Sequence, residues 1–271
     1  MSRGIGRPLH SPTQVRPMRT LLLACSVPLL TGCCAVGSRP DLCRTIPPSE
    51  PNPVGVVFVA NGSGDFHTVS TNLGRVVAET STPLQVETVP WSHGFCRYVT
   101  DHLGHANHVH QGSRLAADVT AYRQAYPGRK VYLIGHSAGC AVVLAAAERL
   151  PTDSVDRLIL LAPSVCVTYD LRPALRTARC GIDVFHSDKD SVILGLGTLI
   201  VGTADHRCRT AAGQYGFRPV IACPADAALY GKLRQHPWDP VVAWSGHDGG
   251  HYGSNQACFL RAYVLPLLTG D

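Results

Sequence analysis

The sequence predicts an α/β protein, a mostly parallel sheet covered by helices on both faces. Short apolar runs alternate along the chain with longer stretches of helical periodicity, and strands of that order need crossover connections. The runs themselves, such as "VGVVFVA" at 54–60 and "KVYLIG" at 130–135, are continuous rather than alternating, as strands buried on both faces are. With 271 residues, 45% hydrophobic and 16% charged, the chain suffices for one domain with a sizeable core.

The elements follow in order. The first strand, 54–60, runs into the turn "NGSGDF" at 61–66, and a helical pattern covers 67–79. A strand "LQVETV" at 84–89 and a polar loop precede a helix at about 112–126, whose apolar face carries Leu115, Ala116, Val119 and Tyr122. After the strand at 130–135 come a helix at 138–150, a strand "VDRLILLA" at 155–162, a helical stretch around 171–178 and a strand "GIDVFHS" at 181–187. A long irregular segment, a strand "VVAWS" at 241–245 and a helix near 255–268 complete the pattern. Only about twenty residues separate the strands at 155–162 and 181–187, so a large cap domain has no room there. Loops at 91–111 and 201–224 are the candidates for a small lid.

The first 32 residues stand apart. They hold Arg3, Arg7, Arg16 and Arg19 and no acid, so most of the formal charge of +5 belongs to them. Arg16 and Arg19 followed by the apolar run 21–30, too short to span a bilayer, have the layout of a secretory signal, which begins at Met18, an alternative start. "LTGC" at 30–33 resembles a bacterial lipoprotein lipobox. That resemblance implies lipidation of Cys33 and a mature chain exported and anchored in a bacterial envelope membrane, with the proline-rich stretch 33–53 as spacer and a domain from 54 to 271. The alternatives are a plain signal peptidase site and an apolar N-terminal helix. The remaining charges nearly balance and form no basic patch with interleaved aromatics, so nucleic acid is not an expected partner. The chain has 11 cysteines without CxxC spacing, which in an oxidising compartment points to one or more disulfides rather than a structural zinc site.

The chemistry concentrates at "GHSAG", residues 135–139. A serine between two glycines, placed where a buried strand turns into a helix, is raised above the sheet edge at the start of a helix dipole. Here the chain resembles the α/β-hydrolase superfamily over roughly 54–268. That resemblance implies a nucleophile, Ser137, then an acid after a late strand and a histidine after the last one. Asp190, followed one residue later by an aliphatic, is the expected acid and Asp188 the alternative; His251, after two glycines, is the expected base and His247 the alternative. The oxyanion donors are then the amides of Ala138 and Ser63, with Asn61 standing where the family often has histidine.

The expected activity is hydrolysis of a carboxylic ester or thioester of a small molecule or lipid, without metal or organic cofactor. The same parts suit a peptidase or amidase, and the fold alone suits a surface lipoprotein that only binds. Serine rather than aspartate at the elbow disfavours a dehalogenase. Five histidines between His93 and His110 suggest metal, but without accompanying carboxylates or thiolates they read as a polar loop at the site rim. Asp101 and Asp118, in the same area, show no special partner. The glycine-rich apolar run 191–203 suits either an acyl pocket or a core helix. Cys140 reads as core, and "HPWD" at 236–239 as a turn into the last strand with Trp238 buried.

Overall fold

In a computed structural model the chain divides at Ile46 into two units, and residues 52–190 and 202–270, with Met1, are described. The signal segment, Cys33, the spacer as far as Pro51 and most of the apolar run 191–203 lie outside the described residues. The second unit is built on six strands: β1 (Gly55–Ala60), β2 (Leu84–Thr88), β3 (Lys130–His136), β4 (Arg157–Leu161), β5 (Ile182–His186) and β6 (Leu233–Pro237). They lie in the order β2-β1-β3-β4-β5-β6, and every pair is parallel. Going from β1 outward in both directions makes the point between β1 and β3 a topological switch, where the open sheet forms a crevice at its carboxyl edge.

Helices fill both faces. On one, Val56, Leu133, Leu158 and Val184 pack with α3 (His105–Ala125), α4 (Gly139–Ala147) and α5 (Arg172–Thr177), after α1 (Thr68–Glu79) and α2 (Tyr98–Leu103) in chain order. On the other, Val57, Ile134, Ile159 and Phe185 pack against Leu73 and Val76 of α1 and against Leu260 and Val264 near the C-terminus. Burying each such side chain contributes about 1.5–3 kcal/mol, which is why the central strands read as unbroken apolar runs. Two short helices, α6 (Ala212–Tyr215) and α7 (Pro224–Tyr230), precede β6. The chain closes with the helical run Ala257–Thr269, whose turn at Leu260–Val264 widens to π geometry. Pro266 cannot donate to the carbonyl four residues before it, so the ladder is already broken there.

Two expected elements change. The last strand is Leu233–Pro237, and Val241–Ser245 lies in a 3-10 turn, Pro240–Ser245. Pro240 starts that turn, and the Asp239 carboxylate accepts from the Val241 amide at 2.8 Å, an N-terminal cap that the apolar pattern hides. The true edge strand reads as polar because it serves a charge. Asp183 on β5 is fully buried and bonded to Arg157 (2.7 Å), Arg234 (2.9 Å) and His236 (2.8 Å), so one carboxylate joins three strands. Burial alone would raise its pKa, but the bonds from His236, Arg234 and Arg157 hold it well below the carboxylate range. Consequently "HPWD" ends the strand instead of leading into one, and Trp238 is half-buried, with Lys189 Nζ 3.8 Å over its ring.

The second change is in the histidine-rich stretch: His93 lies in a loop, but His102, His105, His108 and His110 fall in α2 and the first turns of α3. Helix α3 begins at His105, and its N-terminal half buries His108 and Gly112 instead of large apolar residues, so the helical stripe is invisible there. The two lid candidates meet: His102 bonds the Gly202 carbonyl at 2.9 Å and His206 the Leu103 carbonyl at 3.0 Å. Between β4 and β5 there are only short connections and α5, so no cap domain is inserted. Among the described residues no helix is long and apolar enough to cross a membrane.

Candidate active site

Strand β3 ends at His136, and Ser137 follows with φ +53°, a left-handed value rare for a side chain with a Cβ. Two close approaches hold the turn. A Cβ on Gly135 would lie 2.7 Å from Cys140 Cα, and one on Gly139 would lie 2.2 Å from the Ala60 carbonyl oxygen. Glycine at both positions lets helix α4 and the end of β1 close around the serine. The Ser137 amide is fixed to the Leu161 carbonyl at 3.0 Å, leaving its side chain at the sheet edge.

The structure brings the three distant residues together. His251 Nε2 lies 2.9 Å from Ser137 Oγ, and His251 Nδ1 lies 2.5 Å from Asp190 Oδ2. All three are at least nine-tenths buried. Asp188 is exposed on the same turn and takes no part. His247 is buried elsewhere: its Nδ1 accepts from the Gly249 amide at 3.2 Å and its ring meets Phe259 edge-on at 4.8 Å. Burial pushes its pKa down to about 4. His136 lies beside the site with its ring 5.1 Å from that of His251, and its Nε2 donates to the His251 carbonyl at 3.2 Å. Burial first and the neighbouring His251 second push His136 down to about 3, so it stays neutral.

Ala138 is the residue before α4, so its amide is among the N–H groups that a helix start leaves without an intrahelical acceptor. Ser63 lies half-buried in the turn after β1; the preceding Gly62 is close enough that a Cβ there would come within 3.5 Å of Ser137 Cβ. Asn61 does not face the serine. Its Oδ1 accepts from the amides of Val69 (3.1 Å) and Ser70 (3.2 Å), capping α1 from outside. Such a cap was readable in principle from Asn at a strand end before a helix.

Sequence reasoning missed Asp101. It is fully buried and accepts hydrogen bonds from the Gly64 amide, Ser92 and His93. Nothing on its own helix marks it, because all the partners of its carboxylate lie outside that helix. Of the neighbouring histidines, His93 pairs with the Asp101 carboxylate at 2.8 Å, His108 bonds the Asp101 carbonyl at 2.6 Å and His105 lies against the ring of His206. Among the described residues no group of three or more His, Cys, Asp or Glu side chains is placed to hold a metal ion. Cys166 and Cys208 form a disulfide, while Cys96, Cys140, Cys180, Cys223 and Cys258 are free. Cys140 is in the core, where burial raises its thiol pKa.

A family model for the alpha/beta hydrolase fold matches residues 82–180, the stretch that contains the serine turn. No curated protein matches the chain in sequence. Among solved structures the chain is similar to the catalytic core domain of acetyl xylan esterase from Trichoderma reesei, at 15% identity over 78% of this chain and 98% of that one, with a TM-score of 0.42. It is also similar to esterase PE8, at 15% identity over 82% and 96%, TM-score 0.49. A third similar structure is XC6422 from Xanthomonas campestris, an a/b serine hydrolase without lid, at 16% identity over 82% and 84%, TM-score 0.44. With its parallel sheet, its strained serine turn between β3 and α4 and a model match across that turn, the chain has the architecture of the alpha/beta hydrolase fold.

Proposed function

We propose that the protein is a serine hydrolase that cleaves a carboxylic ester or thioester through an acyl-enzyme. The observation that carries this is the continuous hydrogen-bonded chain from Asp190 through His251 to Ser137, assembled from three loops at the carboxyl edge of one sheet. Ser137 Oγ attacks the carbonyl carbon while His251 Nε2 takes its proton. Asp190 holds the Nδ1–H tautomer and stabilises the imidazolium that forms. The amides of Ala138 and Ser63 receive the oxyanion, and the N-terminus of α4 adds its dipole. His251 then protonates the departing alcohol or thiol as its bond to the carbonyl carbon breaks, takes a proton from a water that adds to the acyl carbon, and returns it to Ser137 Oγ as the second tetrahedral species collapses to free the acid.

Neutral His136 fits this scheme: an uncharged ring beside His251 leaves the imidazolium to be stabilised by Asp190 alone. The N-terminal segment supports a location to go with the activity, export followed by lipid attachment at Cys33, because a basic stretch, a short apolar run and "LTGC" follow in that order.

Turnover of p-nitrophenyl esters from acetyl to palmitoyl tests the activity, beside Ser137→Ala and Asp190→Asn. Ser137→Ala abolishes turnover and labelling by a fluorophosphonate, and Asp190→Asn lowers kcat by about 10⁴-fold through the wrong imidazole tautomer. Folded native protein that turns over no ester refutes the proposal: labelling at Ser137 without ester turnover favours an amidase, and no labelling favours a binding protein.

A further inference from the structure

The turn that carries Ser63 is pinned at both ends by buried polar side chains. At its start the Asn61 carbonyl accepts from the Trp91 indole at 2.8 Å, while the Asn61 side chain grips α1. At its end Gly64, with φ +88°, donates its amide to Asp101 Oδ2 at 2.7 Å, and its carbonyl accepts from the Cys96 amide at 3.1 Å.

Asp101 is built for this position. Besides Gly64, its Oδ2 accepts from the Ser92 hydroxyl at 2.5 Å, and its Oδ1 accepts from the His93 amide and lies 2.8 Å from His93 Nδ1. The residue is 0% exposed. A fully buried carboxylate survives only when hydrogen bonds replace its water, and each donor here belongs to the turn at 64 or the loop at 92–93. No strand of the sheet is held by it.

Because each peptide unit is planar, fixing the Asn61 carbonyl and the Gly64 amide fixes two peptide planes. The Gly62–Ser63 unit lies between them, and its N–H is the one assigned to the oxyanion. We propose that Asp101 is a positioning residue, which holds the Ser63 amide towards the developing oxyanion by clamping Gly64. The inference rests on the reading of the site as a serine hydrolase with Ser63 as donor.

The test compares the full-length native protein with Asp101→Ala and Asp101→Asn on p-nitrophenyl butyrate. Binding of an aryl trifluoromethyl ketone, which occupies the oxyanion site as a hemiketal, is measured alongside. Loss of aim costs transition-state stabilisation and not ground-state binding, so Asp101→Ala lowers kcat roughly 10- to 100-fold with KM within about threefold. Ketone affinity falls in parallel, and Asp101→Asn, with one carbonyl oxygen for four donors, lies between. Asp156→Ala is the control: it removes a buried carboxylate that accepts from the Val131 amide at 2.8 Å, at the opposite edge of the sheet, and lowers stability without this kcat effect.

A folded Asp101→Ala protein with native kcat and native ketone affinity overturns the inference. Should that variant not fold, the Gly64 amide of the native protein decides: slow hydrogen exchange supports the clamp, and exchange at the rate of an open loop overturns it. A native protein inert to every ester overturns both proposals together. One that depends on Ser137 yet tolerates Asp101→Ala overturns this one alone.

Discussion

Gly139→Ala adds a single methyl group at the first residue of α4, and its cost can be worked from the surroundings. The new Cβ would lie 2.2 Å from the Ala60 oxygen, 2.4 Å from the Asn61 oxygen and 2.8 Å from the Ala60 carbonyl carbon. All three are main-chain atoms, so no side-chain rotation relieves the overlap. Ala60 is also tied in register to Gly135 of β3, so the end of β1 moves only by disturbing the central strand pair. Overpacking of this kind costs about 1–3 kcal/mol, and a clash with fixed backbone lies at the top of that range. The helix gains at most about 1 kcal/mol from replacing glycine by alanine. The net loss is about 2 kcal/mol, a fall in Tm of roughly 4–8 °C for a domain of this size.

Activity falls further than stability. Whatever shift the methyl group forces is delivered to Asn61 and Gly62, which carry the Ser63 amide, and a displacement near 1 Å costs about 10²-fold in rate. Thermal melts followed by circular dichroism and p-nitrophenyl butyrate turnover well below the melting range read the two effects separately. The comparison is Gly74→Ala in α1, where an added Cβ meets nothing within 4 Å. That variant is stabilised by about 0.5–1 kcal/mol with unchanged turnover. A Gly139→Ala protein that melts with the native one and keeps its kcat would refute the argument that the two elements touch at this glycine.

Stability also falls in acid for a reason visible in the interior. Burial lowers the pKa of His108, His136 and His247 from 6.5 to about 4, 3 and 4. The unfolded chain therefore takes up protons below pH 6.5 that the folded one refuses. Their contribution is complete above the unfolded pKa and shrinks as the pH falls towards 4, by up to about 1.4 kcal/mol per unit for each ring. Urea midpoints at about pH 7.5, 6 and 5 measure this, and equal midpoints would mean that the rings protonate within the fold. The Cys166–Cys208 bond joins residues 42 apart and contributes about 4 kcal/mol by restricting the unfolded chain. The double variant Cys166→Ala, Cys208→Ala lowers the urea midpoint accordingly; an unchanged midpoint would show that the Asp205 contact with the Cys166 amide already secures the loop.

The centre of the fold is legible because its constraints are local. An apolar run, a serine in a left-handed conformation and two glycines at close approaches all fall within ten residues, so Ser137 can be read in place. The choice between Asp188 and Asp190 depends on burial on one short turn, and the aliphatic after Asp190 carries that signal. The edge of the sheet is not legible. Strand β6 carries Arg234 and His236 because Asp183 on its neighbour needs them, and no window on β6 alone contains that reason. Asp101 is hidden in the same way, since its partners lie 8, 9 and 37 residues away. Buried polar pairs answer to the other end of the bond, whereas apolar periodicity answers to the element itself.

The hydrogen bonds of the site span 61 residues from Asp190 to His251 and 114 from Ser137 to His251. Contacts of that separation form late, once the entropy of closing the intervening chain has been met. A folding chain can thus complete β1, β3 and α4, display a well-formed serine turn, and remain inert until the segment that carries His251 docks. Recovery of ester hydrolysis after dilution from denaturant should trail the return of secondary structure, and the interval between them times the arrival of the C-terminal segment.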